Sequence, residues 1–208
     1  MAIKAVLFDV GGVITTSPFD SFARYERDQG LPAGFIRKLN STNPDTNAWA
    51  QLERNAVDFG QFCDLFEAEA RAAGGELKAV EVMQCLVGDV RPEMVEAVRR
   101  CHERLKTGML TNNVRSEDEG DGGRLDGLLL PLFDVVIESS KAGVRKPDPR
   151  FYEMACEQLR IEPPEAVFLD DLGINLKPAR AMGMTTIKVV DADKALAELE
   201  EAVGFPVR

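Results

Sequence analysis

The stretch Lys4-Ala5-Val6-Leu7-Phe8-Asp9-Val10-Gly11-Gly12-Val13 decides the fold. Four apolar residues follow one another without polar alternation and stop at an aspartate and paired glycines. Such a run suits a strand covered on both faces, as in parallel sheets flanked by helices. Similar runs recur downstream at Gly108-Met109-Leu110, 133–137, Ala166-Val167-Phe168-Leu169 and 185–190. Helical spacing fills most of the gaps: Met94, Val98, Cys101 and Leu105, then Phe151, Met154, Ala155 and Leu159, then Leu196, Leu199 and Val203. Strands alternating with helices predict an α/β domain with a parallel sheet.

One interval breaks the alternation. From about Ser17 to Leu86 no strand is legible, only helical stretches such as 48–55 and the series Phe59, Phe62, Phe66 with Leu65, spaced as a core stripe. Pro18 and the stretch 88–92 mark its ends. Residues 17–87 are therefore expected to be a helical insertion placed after the first strand, leaving 1–16 and 88–208 as the core. The acidic, glycine-rich patch 116–123 reads as a solvated surface loop.

The 208 residues carry 35 acidic and 25 basic side chains, a net charge of −10, which argues against a nucleic-acid surface. No apolar run approaches the 18 or so residues of a membrane span, so a soluble, cytoplasmic protein without nucleic-acid or membrane partners is expected. Cys63, Cys85, Cys101 and Cys156 form no C-x-x-C pair and read as small buried hydrophobes in a reducing compartment. The chain has one histidine, His102, which argues against histidine-based triads and multi-histidine zinc sites. Nothing in the sequence fixes an oligomeric state.

In an open parallel sheet, ligands gather beyond the carboxyl ends of the strands. The predicted strands lead, in order, into Asp9, Thr111-Asn112-Asn113, the loop from Lys141 to Lys146-Pro147, and Asp170-Asp171 with Asn175. A carboxylate such as Asp9 can attack phosphorus and form an aspartyl-phosphate. Asp9, Asp170 and Asp171 repel one another unless a hard cation such as Mg²⁺ joins them. Thr111 and the backbone after it can hold phosphate oxygens, and Lys146 supplies a compact positive charge. Each residue also has a plainer reading, as helix cap, turn glycine or turn amide. Asp148-Pro149 is accounted for as a helix start alone.

The four motifs in this order resemble the haloacid dehalogenase-like hydrolase superfamily, over Lys4 to about Val190. The runs 146–150, 168–171 and 175–180 are similar to the phosphatase-like domain at the N-terminus of soluble epoxide hydrolases, and to a related domain fused to some acyl-CoA dehydrogenases. The resemblance implies a Rossmann-like core with the insertion as a cap. It also implies Asp9 as nucleophile and Mg²⁺ held by Asp9, the Gly11 carbonyl and Asp171, with Asp170 close by. Thr111 and Asn112 would bind phosphate, Lys146 would stabilise its charge, and the substrate would be a small phosphorylated metabolite. One position departs from the pattern. Phosphatases of the family usually carry a second aspartate where this chain has Gly11, so the usual general acid is missing. Two other functions are compatible with the motifs: a weakly catalytic phosphate-binding or regulatory protein, and a metal-free haloacid dehalogenase, against which the paired Asp170-Asp171 argues.

Overall fold

The computed structural model describes residues 2–114, 127 and 129–208. Strands β1 (Ala5–Phe8), β2 (Lys106–Thr111), β3 (Val135–Glu138), β4 (Ala166–Asp170) and β5 (Thr185–Lys188) form one sheet in the order β3-β2-β1-β4-β5, every neighbouring pair parallel. The unbroken apolar runs have the expected cause, since both faces are covered. Val6, Phe8, Val167 and Leu169 pack on one face with Met94 and Val98 of one helix and Leu196 and Leu199 of another. Ala5, Leu7, Ala166 and Phe168 pack on the other with Phe151, Tyr152 and Leu176. The register sets Phe8 opposite Met109 and Leu169, which brings Asp9 and Asp170 to one level at the carboxyl edge.

Some strand boundaries differ from the sequence reading. The second strand begins at Lys106 rather than at Gly108, because the polar Thr107 is fully satisfied inside the sheet. Its hydroxyl donates to the Leu132 carbonyl at 2.7 Å and its N–H to the Asp134 carboxylate at 2.7 Å. That carboxylate ends the turn, so β3 starts at Val135 instead of Phe133. The last strand stops at Lys188 rather than Val190, which is largely exposed.

Between β1 and β2 lie α1 (Pro18–Asp28), α2 (Phe35–Ser41), α3 (Ala48–Glu53), α4 (Phe59–Ala72) and α5 (Ala79–Gln84), with α6 (Pro92–His102) leading into β2. Helices α1 to α5 carry a core of their own around Trp49, whose ring meets those of Phe22, Phe62 and Phe66 at centroid distances of 5.5–6.2 Å. The expected stripe on α4 is narrower than its sequence suggests. Phe62, Phe66 and Ala70 are buried at four-residue spacing, whereas Phe59 and Leu65 are 36% and 39% exposed. Two linkers join this layer to the sheet and brace each other. Thr16 donates its N–H to the Asp89 carbonyl and Arg91 donates to that of Ile14, both at 2.8 Å.

Beyond β3 the chain forms α7 (Ser139–Ala142), α8 (Pro149–Leu159), α9 (Gly173–Ala181) and α10 (Ala192–Val203). Among the described residues, no helix is long and apolar enough to cross a membrane. The patch 116–123 lies outside the described residues. All four cysteines are free, but only Cys101 and Cys156 are buried; Cys63 and Cys85 are half-buried at the margin of the helical layer. His102 ends α6 with Nδ1 3.1 Å from the Thr107 hydroxyl, a contact remote from the carboxyl edge.

The α4 geometry gives a direct test. Phe66→Ala removes a fully buried ring and should cost about 3–5 kcal/mol in urea unfolding. Leu65→Ala, one residue earlier on the exposed face, should stay within about 0.5 kcal/mol of wild type.

Candidate active site

The site grows from the end of β1. Asp9 follows the last paired residue of the central strand, and its own N–H donates to the Leu169 carbonyl at 3.0 Å, so its backbone is fixed against β4. Its side chain is oriented by two donors that meet at one oxygen. The Val10 N–H reaches Oδ1 at 2.7 Å and the Lys146 ammonium reaches the same atom at 2.8 Å. Lys146 comes from the loop before α8, is 1% exposed, and also lies 2.8 Å from Asp170 Oδ2.

The two adjacent aspartates divide in function as far as contacts go. Asp170 is completely buried and saturated: besides Lys146, it accepts from Asn175 Nδ2 at 3.1 Å on each oxygen and from the Leu172 N–H at 2.8 Å. Asn175 is held in turn through its carbonyl, which accepts from the buried Tyr152 hydroxyl at 2.6 Å. Asp171 is half-buried and takes one long hydrogen bond, from the Ser17 hydroxyl at 3.4 Å. Oxygens of Asp9, Asp170 and Asp171 all come within 4.8 Å of one another.

The paired glycines are not equivalent. Gly12 has φ +76°, and a Cβ there would sit 2.3 Å from Asp171 Oδ2. It is glycine both for its conformation and for the close approach of that carboxylate. Gly11 has φ −65° and ψ 126°, with no atom within 4 Å of where a Cβ would stand. A turn that needs left-handed backbone therefore explains Gly12 but not Gly11. Arg91 clamps this loop by donating to the Gly12 carbonyl at 2.9 Å.

Thr111 closes β2, half-buried at the same edge. The Asn112 side chain is wholly engaged with the Lys146 backbone: its Oδ1 accepts from the Lys146 N–H at 2.9 Å and its Nδ2 donates to the Lys146 carbonyl at 3.0 Å. Asn113 ties the same loop to α7 through Ser139, Ser140 and Glu138. The candidate residues thus converge from the ends of β1, β2 and β4 and from the loop before α8. Sequence reading placed Asn113 at this edge but missed the other residues that fix the site, namely Ser17, Arg91, Ser139 and Tyr152. Three polar or aromatic residues of the helical layer are engaged within that layer. Trp49 is core, Tyr25 accepts from the Lys78 N–H, and Arg54 donates to the Asp45 carbonyl.

Charge defines what the site can take. Three clustered carboxylates face one buried ammonium. Burial pushes the Asp9 carboxyl well above the usual range, with Asp170 adding to the rise and Lys146 opposing it. Burial and the neighbouring Asp170 raise Asp171 to about 6. Desolvation works against the charge on Lys146, but the two carboxylates together outweigh it and hold the ammonium protonated. This all-oxygen, negatively over-charged set fits a hard divalent cation such as Mg²⁺.

The family comparison agrees with this geometry. Residues 3–183 match the haloacid dehalogenase-like hydrolase model, and the chain belongs to that family of hydrolases. It is 32% identical over 218 residues to bifunctional epoxide hydrolase 2 of Sus scrofa, covering 98% of this chain but 39% of that protein. The chain spans well under half the length of that relative and of similar ones. It is also 33% identical over 195 residues to a Mycobacterium tuberculosis protein named phosphatase MT3486, covering 88% of this chain and 86% of that one. In fold it resembles a Bacteroides thetaiotaomicron enzyme of the family solved with magnesium and inorganic phosphate, with TM-score 0.62, 18% identity and coverage of 90% and 94%.

The loop and the acids lead to two expected outcomes. Gly12→Ala should lower the melting temperature and weaken Mg²⁺ binding by calorimetry, while Gly11→Ala should leave the fold intact. The folded-state pKa of Asp171 lies above its ordinary value of 3.8, at about 6, so its proton competes with a cation at mildly acid pH. Mg²⁺ affinity should fall as the pH drops through about 6, with protonation of Asp9 adding to the loss. Calorimetry on wild type and Asp171→Asn checks this, since the variant should bind weakly and keep only the part of the pH dependence that Asp9 contributes.

Proposed function

We propose that this chain is a Mg²⁺-dependent phosphatase of small phosphorylated metabolites, working through an aspartyl-phosphate on Asp9. The observation that carries the reading is the Lys146 ammonium, 2.8 Å from both Asp9 and Asp170 in a buried site. Both donors to Asp9 converge on Oδ1, which leaves Oδ2 as the oxygen to attack phosphorus. As the Oδ2–phosphorus bond forms, the bond to the leaving oxygen breaks. Water then attacks the same phosphorus, releasing inorganic phosphate and returning the Asp9 carboxylate. Thr111 and the backbone N–H of Asn112 would hold the phosphoryl oxygens, since the Asn112 side chain is spent on Lys146. Lys146 would offset the charge that gathers on them.

In this reading Mg²⁺ would be held by Asp9, the Gly11 carbonyl and Asp171, where it neutralises charge on the carboxylates and the phosphoryl group. Asp170 would act from behind, orienting Lys146 rather than reaching the cation, as its four hydrogen-bond contacts support. Residues 17–87 would serve as the cap and 1–16 with 88–208 as the catalytic core.

Gly11 sets the substrate preference. Without an acid there, the leaving oxygen departs unprotonated, so aryl and acyl phosphates should turn over while simple alkyl phosphates react poorly. General acid catalysis contributes about 10²–10⁴ in rate. Because Gly11 has ordinary backbone angles and open space at Cβ, Gly11→Asp should fold normally and raise alkyl-phosphate turnover about tenfold or more. Phosphate release with and without Mg²⁺, on a panel of both substrate kinds, is the test, with Asp9→Asn as the inactive control. If wild type binds phosphate and Mg²⁺ but releases nothing from aryl or acyl phosphates, the binding or regulatory function replaces this one. Chloride release from a haloacid in the presence of chelator would instead establish the dehalogenase.

A further inference from the structure

Helices α1 to α5 meet the sheet domain through a contact that neither the nucleophile nor the cation site uses. Glu53, the last residue of α3, is buried, with Oε1 accepting from Trp49 Nε1 at 3.0 Å. Its Oε2 lies 2.5 Å from Nε of Arg145, the residue just before Lys146. The same guanidinium donates from Nη1 to the Pro44 carbonyl at 2.9 Å. Among the described residues, and apart from the linkers' own contacts, every side-chain hydrogen bond or ion pair between 18–84 and the sheet domain runs through Arg145.

We propose that the Glu53–Arg145 pair is the latch that holds the helical layer closed over the Asp9 edge. The inference rests on the reading of 17–87 as a cap. Three observations support it. First, the latch sits at the site: Arg145 adjoins Lys146, whose backbone is clamped by Asn112, so the guanidinium is anchored to the rigid part of the active site. Second, the helical layer has its own core around Trp49, and the Trp49 indole fixes the Glu53 carboxylate, so pulling on Glu53 moves the layer as a body. Third, the chemistry suits a seam that must part. Removing two charges from water costs nearly as much as their attraction returns, and both regain hydration when separated. An ion pair therefore holds a seam shut only weakly, whereas apolar burial of the same area would favour permanent closure. A phosphoryl-transfer site has to keep water out until the leaving group departs, then admit it and release product, so weak closure is what it needs.

Hydrogen exchange on the substrate-free full chain tests the latch. Arg145→Gln and Glu53→Gln each break the pair, and Gln at 53 keeps an acceptor for Trp49. Both should speed exchange about tenfold or more in peptides covering 15–18, 88–92 and 139–146, with β1 and β4 at wild-type rates. Arg150→Gln, which loses only exposed ion pairs to Glu153 and Glu157, should match wild type throughout. Unchanged linker and 139–146 peptides in both variants would overturn the proposal. So would acceleration spread equally into β1 and β4, which marks general destabilisation. If either single variant fails to fold, the double variant, which leaves no unpaired buried charge, is judged by the same two outcomes. The readout needs no turnover: latch opening in a chain without phosphatase activity removes the function proposed above and keeps the latch.

Discussion

The Lys146 ammonium, buried between Asp9 and Asp170, is the interaction on which the rest of the site depends. A lysine at 1% exposure is stable only if its charge is met at close range. Two carboxylates from neighbouring parallel strands meet it, one on β4 and one just beyond β1. Everything around the ammonium holds this triangle. Asn112 grips the Lys146 backbone at both its N–H and its carbonyl, Asn175 grips Asp170, and Tyr152 grips Asn175. The sheet register supplies the last constraint by setting the two acids side by side.

That arrangement explains why adjacent aspartates carry unlike environments. Asp170 has spent its lone pairs on Lys146, Asn175 and Leu172, whereas Asp171 takes only the long hydrogen bond from Ser17. Gly12 exists to let Asp171 in: any Cβ at that point would occupy the carboxylate's place. Gly12 and Asp171 lie far apart in the sequence and still form one steric unit. The unpaired negative charge that this leaves at the edge is of the kind a divalent cation can balance.

Much of this is legible in the sequence, for a physical reason. Strands buried on both faces leave continuous apolar runs, and a parallel sheet delivers the residues after each run to the same edge; Asp9, Thr111 and Asp170 can be placed that way. The helical insertion shows as missing strands. The features that stay hidden depend on long-range satisfaction of polar groups. Nothing local marks Thr107 as a strand residue, because its partners are Leu132 and Asp134. Nothing local separates Gly11 from Gly12, because the left-handed backbone of Gly12 and the approach of Asp171 appear only in the fold. The use of the Asn112 amide on Lys146 is equally out of reach, and so is Arg145, whose partners lie in α3 and the loop before it.

The contrast between these two kinds of contact bears on how such a chain divides its labour. The catalytic edge is built from short, buried, mutually satisfied bonds among β1, β2, β4 and the loop before α8, so it has little freedom to deform. The helical layer is bound to that edge by two braced linkers, by Arg145 with its ion pair to Glu53 and its hydrogen bond to Pro44, and by packing of Val114, while its interior is closed around Trp49. The contacts that hold Lys146, Asp170 and Asn175 are made without any residue of α1 to α5. Arg145 joins edge and layer, one peptide bond from Lys146 and in contact with Glu53.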